Sequence, residues 1–245
     1  PKWMGRCPAC GEWNSMVEEV TSSGKGFINI SNTSRPQPLS AISTEEETRI
    51  VSGNAELDRV LGGGLVKGSL ILIGGEPGIG KSTLSLQIPL YCSSLKTLYV
   101  SGEESVRQIK MRGERLGGSP ENCMVLSETL LENILERAKE VDPQLLIVDS
   151  IQTIYYQRVE SSAGSVSQVK ECAASLLRFA KETETPVILI GHITKDGLLA
   201  GPKILEHIVD VVLQFEGDTR HSYRILRGIK NRFGSTSELA VYQLT

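Results

Sequence analysis

The sequence predicts an α/β protein with a mostly parallel sheet, flanked by helices and extended by antiparallel strands at its C-terminal end. From Ile50 onward, short apolar runs alternate with helical stretches. That alternation favours parallel strands joined by helical crossovers. After residue 205, candidate strands follow one another through short loops, a pattern typical of antiparallel pairing.

Five short apolar runs are the candidate parallel strands of the core, at 69–73, 97–101, 123–126, 145–149 and 186–191. The helical stretches between them lie at 81–92, 104–117, 129–141 and 165–183. The strands of the extension are expected at Ile208 to Phe215, Tyr223 to Ile229 and Glu238 to Gln243. Residues 48–245 are therefore expected to form one domain.

The residues before this domain have a different composition. Residues 20–47 are rich in Ser, Thr, Asn, Pro and Glu and predict a linker. Within residues 1–19, Cys7 and Cys10 form a C-x-x-C pair, which is half of the four ligands that a tetrahedral Zn²⁺ site needs. Either the other half precedes Pro1 or the pair binds no metal, and we favour the first interpretation.

Composition limits the classes of function. The net charge of −3 means that any contact with nucleic acid must come from a local basic patch. No apolar run approaches the ~20 residues of a membrane span, and the N-terminus lacks a secretory signal pattern. Five cysteines, an odd number, argue against a secreted disulfide framework. We expect a cytoplasmic protein without a membrane partner.

One loop matches the phosphate-binding pattern G-x-x-x-x-G-K-[ST] at every fixed position: Gly75, Glu76, Pro77, Gly78, Ile79, Gly80, Lys81 and Ser82. Glycines let backbone N–H groups point at phosphate oxygens, and the helix that follows, with Thr83, adds its positive N-terminal end. In this pattern Lys81 reaches the β- and γ-phosphates, and the Ser82 hydroxyl ligates Mg²⁺. The sequence therefore predicts a site for ATP and Mg²⁺.

Acidic residues follow two of the candidate strands. Asp149 ends a buried apolar strand, where ligands lie in open α/β sheets, and would hold Mg²⁺. Glu103 and Glu104 lie just past strand 97–101, where a carboxylate can orient or deprotonate the attacking water. The alternative is a helix N-terminus that carries acids because the helix dipole favours them. We choose Glu103 as the catalytic acid because it lies nearer the strand end.

The segment from Thr219 to Ser237 holds no acidic residue and five cations, namely Arg220, Arg224, Arg227, Lys230 and Arg232. Such an uncompensated run indicates a local anion site. The alternative is a solvated edge strand that its charges protect from pairing. On a regular strand, Arg224, Lys230 and Arg232 would share one face and Arg227 would take the other.

Two loops are candidates for contact with single-stranded DNA. The loop after Asp149 carries Arg158, and the loop after His192 carries Lys195 and Lys203. Both are modestly basic, which suits contact with the phosphate backbone of a single strand.

Longer motifs carry a resemblance to a known family. Residues 61–65, 75–82 and 99–105 are similar to the RecA-type ATPases. Within that group, further segments resemble the bacterial RadA family, also called Sms: the zinc half at 2–14, the loop motifs at 191–197 and 200–203, and the pentapeptide at 230–234. The likeness spans essentially the whole chain, although Lys203 stands where Arg is more usual.

The resemblance implies a RecA-like core and a hexameric ATPase of homologous recombination and DNA repair. It implies binding of single-stranded DNA and recombination intermediates, branch migration, and work beside a recombinase such as RecA. The implied roles are ATP and Mg²⁺ contact for Lys81 and Ser82, magnesium-side acid for Asp149, catalytic carboxylate for Glu103, and polar sensor for His192. Lys230 and Arg232 would reach the γ-phosphate of a neighbouring subunit.

Two features of the family have no counterpart in this sequence: the first cysteine pair of its zinc finger and its Lon-protease-like C-terminal domain. We therefore expect a fragment, and zinc binding and ring assembly by this chain stay open. Two other functions compete with the DNA motor, a KaiC-like regulatory ATPase without a DNA track and a small-molecule kinase. The zinc half and the pentapeptide disfavour the first, and the lack of an obvious lid disfavours the second.

Overall fold

A computed structural model of the chain describes residues 38, 40, 49–118, 121–192, 205–217 and 222–243. The chain divides into two units between Glu45 and Glu46, and nearly all of the described residues belong to the second. Several predictions lie outside the described residues, namely the zinc-finger segment 1–19 with Cys7 and Cys10, almost all of the linker 20–47, and the cations Lys195, Lys203 and Arg220.

The described part of the chain contains five helices: α1 (Ala55–Leu61), α2 (Lys81–Tyr91), α3 (Val106–Arg115), α4 (Leu131–Val141) and α5 (Val166–Thr183). Its first strands are β1 (Arg49–Ile50), β2 (Leu65–Val66), β3 (Leu70–Gly75), β4 (Thr97–Ser101) and β5 (Cys123–Ser127). The others are β6 (Leu145–Asp149), β7 (Val187–His192), β8 (Val211–Glu216), β9 (Tyr223–Asn231) and β10 (Leu239–Gln243).

Eight of these strands form one sheet in the order β10-β9-β8-β3-β7-β6-β4-β5, and β1 and β2 form a separate antiparallel pair. The six strands from β8 to β5 are parallel. β9 and β10 are antiparallel and extend the sheet beyond β8. The predicted fold class is therefore confirmed. The antiparallel extension begins one strand later than expected, because β8 runs parallel to β3 and the antiparallel pairings of this sheet are those of β9 with β8 and with β10.

Two local features differ from the sequence-based expectation. The strand expected from Ile208 begins at Val211, because the backbone N–H groups of Ile208 and Val209 both donate to Leu205 O and close a turn. The short helix α1 was not predicted. Its signals were present, since Asn54 caps its first turn and Gly62 ends it in the left-handed conformation, with φ of 82°.

Both faces of the sheet are covered, because successive residues of a strand point to opposite sides. Ile71 and Ile73 of β3 pack into the cluster that includes side chains of α1, α2 and α3. Leu70 and Leu72 pack into the cluster formed with α4 and α5. Each such aliphatic side chain contributes roughly 1.5–3 kcal/mol relative to an exposed one. Burial on both faces explains why the parallel strands are continuous apolar runs.

The strand order brings four chain segments together at the carboxyl edge of the sheet. β3, β7, β6 and β4 are neighbours in this order. Gly75 at the end of β3 pairs with His192 at the end of β7, and Asp149 at the end of β6 pairs with Ser101 at the end of β4. The residues that follow these strand ends therefore face one region, where ligands bind in open α/β sheets.

A bulge in β9 corrects the prediction for its cations. Val212 pairs with Lys230 but Leu213 pairs with Gly228, so one extra residue, Ile229, lies between the two pairs. An extra residue reverses the facing of everything beyond it. Arg224 and Lys230 therefore lie on opposite faces of the sheet, although their even spacing predicted a shared face.

Candidate nucleotide site

The phosphate loop joins β3 to α2 in the expected conformation. Gly78 and Gly80 have φ of 74° and 116°, values in the left-handed region that favours glycine. A Cβ added to either glycine would meet no atom within 4 Å. The loop thus encloses an open cradle at the N-terminus of α2, where free backbone N–H groups and the helix dipole favour an anion.

Lys81 lies in this cradle and is 3% exposed. Its Nζ donates to Gly75 O at 2.9 Å and to Glu76 O at 2.8 Å, and it lies 3.3 Å from His192 Nδ1. Burial lowers the pKa of Lys81, while the nearby carboxylates of Asp149 and Glu103 raise it. The ammonium is therefore held by neutral acceptors beside two acids.

Asp149 is buried at the end of β6, and its Oδ2 accepts a hydrogen bond of 2.6 Å from the Tyr99 hydroxyl. Burial and the neighbouring Asp149 carboxylate raise the pKa of Tyr99 well above its usual value, so the phenol stays a donor. The Asp149–Ser150 peptide bond is cis. One oxygen of the Asp149 carboxylate is thus already engaged by a side chain of the hydrophobic core.

Glu103 reaches across the same edge of the sheet to two other strands. Its Oε1 accepts a hydrogen bond of 2.6 Å from Ser150 Oγ and lies 3.3 Å from His192 Nε2. His192 therefore stands between Lys81 and Glu103, with one ring nitrogen toward each. Lysine ammonium has only donors, so Nδ1 accepts from Lys81 and Nε2–H donates to Glu103. The contacts fit a ring that carries its proton on Nε2.

Glu104 points away from this network. Its Oε1 forms an ion pair with Arg112 of α3. The two acids diverge because the Ser101 hydroxyl accepts from both their backbone N–H groups, at 3.3 and 3.0 Å, and bends the chain at the strand end. The structure thus brings Glu103, and not Glu104, to the phosphate loop and Asp149.

A cleft of about 160 Å³ adjoins the phosphate loop on its other side. It lies between α2 and the antiparallel extension, and its lining includes Gly80, Thr83, Phe215, Arg224 and Tyr242. Arg224 is buried, and its Nη1 donates to Tyr223 O at 2.9 Å. Sequence reasoning grouped Arg224 with the other cations of β9, but the structure places it beside the loop.

Lys230 and Arg232 lie far from the phosphate loop of their own chain. Lys230 pairs with Val212, which is level with Leu72, three residues before Gly75. That separation is about 10 Å along the strand direction. Arg232 lies still closer to the amino edge, since its N–H donates to Asp210 O. Both cations therefore lie toward the amino edge of the sheet, away from the phosphate loop at its carboxyl edge.

Both cations have partners within their own chain. Lys230 Nζ donates to Glu206 O at 2.5 Å and to Val209 O at 2.7 Å, and burial lowers the pKa of Lys230. Arg232 Nη1 lies 3.0 Å from Asp210 Oδ1, and Asp210 is buried. In the pentapeptide at 230–234, Asn231 Oδ1 accepts from Phe233 N–H at 2.9 Å. This contact shapes the bend at Arg232, directly after β9.

Arg158 lies in the loop after β6, and its guanidinium is 5.9 Å from the ring centre of Tyr156. Gln168, which is 1% exposed, holds this loop in place. Gln168 Nε2 lies within hydrogen-bond distance of three backbone oxygens, those of Tyr156, Val159 and Ser161, which share its two protons. The loop presents Arg158 at the carboxyl edge on a fixed backbone.

The residues fit the expected ligands. The open cradle of the loop suits phosphate groups, and Ser82 and Asp149 supply the hard oxygen donors that Mg²⁺ prefers. Ser82 lies in the first turn of α2 and Asp149 at the end of β6. Among the described residues, no group of three or more His, Cys, Asp or Glu side chains could hold a metal ion, and no helix is long and apolar enough to cross a membrane.

Fold and site together define a P-loop nucleotide-binding protein of the RecA-like class. Residues 34–198 match the family described as AAA domain, and residues 1–18 match the rubredoxin metal binding domain. The chain therefore belongs to the AAA domain family. That membership supports ATPase activity.

The curated relatives are named DNA repair protein RadA. The chain is 50% identical over 252 residues to the protein of Bacillus subtilis, and the alignment covers 100% of this chain and 55% of the relative. It is 47% identical over 255 residues to the Escherichia coli protein, with the same coverage. The resemblance to bacterial RadA is confirmed. The chain spans about half the length of these relatives, 55% in both cases.

Two solved structures share the fold. The RadB recombinase aligns with a TM-score of 0.61 and 24% identity over 79% of this chain and 95% of that chain. The KaiC-like protein PH0186 from Pyrococcus horikoshii aligns with a TM-score of 0.64 and 22% identity over 80% of this chain and 99% of that chain. These likenesses confirm the RecA-like architecture.

Proposed function

We propose that this chain is the motor part of a DNA repair ATPase, which hydrolyses ATP when it is bound to single-stranded DNA and promotes branch migration as a ring oligomer. The observation that carries the proposal is the contact chain from Lys81 through His192 to Glu103. It joins the phosphate loop to an acid on another strand, beside Asp149. The RadA names of the relatives support the role in DNA repair.

In this proposal the site residues divide the chemistry. Lys81 binds the β- and γ-phosphates, and Ser82 and Asp149 hold Mg²⁺, which neutralises charge on the phosphates when bound. Glu103 accepts a proton from the attacking water, and Ser150 and His192 orient its carboxylate. The cleft beside Thr83 and Arg224 takes the nucleoside.

Lys230 and Arg232 act in trans in this proposal. Their place near the amino edge, away from their own loop, supports a role at the ATP of the next subunit. The two carbonyl contacts of Lys230 would then be exchanged for phosphate contacts on assembly. A cation supplied by a neighbour couples hydrolysis to ring formation.

Single-stranded DNA is expected to lie along the carboxyl edge. Arg158 is the candidate DNA contact that lies among the described residues. Lys195 and Lys203 are further candidates, and both lie outside the described residues. We also propose Zn²⁺ binding by Cys7 and Cys10 in a complete four-cysteine finger, which the match of residues 1–18 to a metal-binding domain supports. A recombinase such as RecA remains the proposed partner.

The proposal is tested by measuring ATP turnover with and without single-stranded DNA. DNA should raise the rate of the parent chain. Lys81→Ala should abolish turnover, because the developing charge on the γ-phosphate loses its main cation. The matched control is Lys139→Ala, at an exposed lysine of α4, which should leave the rate unchanged. Near-normal turnover by folded Lys81→Ala protein would defeat the site assignment. A rate indifferent to DNA would favour a regulatory ATPase without a DNA track.

A further inference from the structure

Tyr99 places a polar hydroxyl group in the otherwise apolar, buried middle of β4. Its neighbours in β4 include Leu98 and Val100, and all three side chains are at most 2% exposed. Packing in such a strand needs only an apolar side chain, and a buried hydroxyl is costly unless it finds a partner. The phenol oxygen therefore marks a specific use of this position.

The partner of that hydroxyl is the acid of the nucleotide site. Tyr99 pairs with Ile147, two residues before Asp149 on the adjacent strand, so Tyr99 and Asp149 point to the same face of the sheet. The ring extends along the strands toward the carboxyl edge, and its hydroxyl lies 2.6 Å from Asp149 Oδ2. The contact runs from the hydrophobic core to the edge where the phosphate loop lies.

In this geometry the two carboxylate oxygens of Asp149 have different surroundings. Among the described residues, the Tyr99 hydroxyl makes the only hydrogen bond to the Asp149 carboxylate. A phenol has one proton to donate, so it engages Oδ2 alone and restrains rotation of the carboxylate. Oδ1 makes no hydrogen bond to the described residues, which leaves it available to a ligand. Outer hydrogen bonds of this kind orient metal-binding carboxylates and tune their affinity.

We propose that Tyr99 is a positioning residue for Mg²⁺ in the nucleotide site, acting through the carboxylate of Asp149. This inference rests on the proposed ATP site. Tyr99 itself touches neither the nucleotide nor the metal. It restrains the Asp149 carboxylate, which would hold Mg²⁺, and it does so from a fully buried position in the core.

The test is Tyr99→Phe, which keeps the ring and its packing and removes one oxygen atom. Binding of a fluorescent ATP analogue is measured across a Mg²⁺ titration with the full chain. We expect the Mg²⁺ midpoint to rise by about 10-fold or more, with analogue affinity in the absence of Mg²⁺ unchanged. Excess Mg²⁺ should restore the parent signal. The matched control is Tyr91→Phe, the same change at an exposed tyrosine, 54% accessible at the end of α2.

The outcomes separate the two claims. An unchanged Mg²⁺ midpoint in folded Tyr99→Phe protein would overturn the positioning role while leaving the site intact. A parent chain whose analogue binding ignores Mg²⁺ would instead defeat the proposed ATP site. A loss of analogue affinity with and without Mg²⁺ alike would show a general packing defect and would also overturn the inference. Thermal unfolding of each variant establishes that it is folded.

Discussion

At the residue scale, the site depends on side chains that share partners across strands. His192 contacts Lys81 and Glu103 with its two ring nitrogens, and Ser150 supports the same glutamate. Gly102 illustrates how tightly these loops approach, since a Cβ there would lie 2.2 Å from Thr153 Oγ1. The pattern of contacts distinguishes two adjacent acids that the sequence alone leaves nearly equivalent.

Glu103→Gln should bind nucleotide nearly as the parent chain does and hydrolyse it at least about 10²-fold more slowly, because an amide cannot accept the proton of the attacking water. Glu104→Gln should lose only its ion pair with Arg112 and change the rate by a few-fold at most. Single-turnover hydrolysis and analogue binding measure the two effects. A large loss in Glu104→Gln with little in Glu103→Gln would show that the assignment of the acids is wrong.

At the element scale, the loop after β6 is fixed by one buried amide. Gln168 at the start of α5 accepts from Tyr156 N–H at 2.7 Å, and the two protons of its Nε2 are shared among three carbonyls of the loop. A loop satisfied in this way has few alternative conformations, because each buried polar group would lose its partner on moving. The position of Arg158 at the carboxyl edge follows from that order.

Arg158→Ala should weaken binding of single-stranded DNA to a similar degree for all base sequences. If the guanidinium contacts one phosphate, the slope of log affinity against log salt should fall by about 0.7. Arg137→Ala is the control, because Arg137 is a half-exposed arginine of α4 paired with Glu140. Fluorescence anisotropy at several salt concentrations gives both quantities. Equal slopes and affinities in the two variants would remove this loop from the DNA site.

At the scale of the whole molecule, the fold separates two sets of charged groups that the proposed function combines in one reaction. The phosphate loop, Asp149 and Glu103 occupy the carboxyl edge, whereas Lys230 and Arg232 lie toward the amino edge. In the proposed ring, a second copy would present its Lys230 and Arg232 to the phosphate loop of the first.

Lys230→Ala should bind ATP but hydrolyse it at least ~10³-fold more slowly in the assembled, DNA-bound state, as expected for a cation supplied in trans. Mixing it with Lys81→Ala should restore part of the turnover, because one site can then combine an intact phosphate loop with a neighbour's intact Lys230. The matched control replaces Lys81→Ala with the double variant Lys81→Ala/Lys230→Ala, which supplies no intact Lys230. Absence of recovery where mixed rings demonstrably form would contradict the trans role.

The sequence by itself determined the elements and the chemistry of the loop. Five of the six parallel strands were predicted to within two residues at each end, because a strand buried on both faces must be a continuous apolar run, whereas the sixth, β8, begins three residues later than expected. The pattern at 75–82 predicted a phosphate-binding loop equally well. Its glycines can adopt positive φ, as Gly78 and Gly80 do, and its lysine stands at the start of the following helix. These signals are local, and local chain preferences suffice to read them.

Only the tertiary structure decided which residues meet. It distinguished Glu103 from Glu104, placed Arg224 beside the loop, and gave the Tyr99 hydroxyl its partner. It also showed that the bulge at Ile229 reverses the facing of Lys230 relative to Arg224. Contacts between strands depend on sheet order and register, which come from packing the whole chain, so periodicity along one segment cannot reveal them.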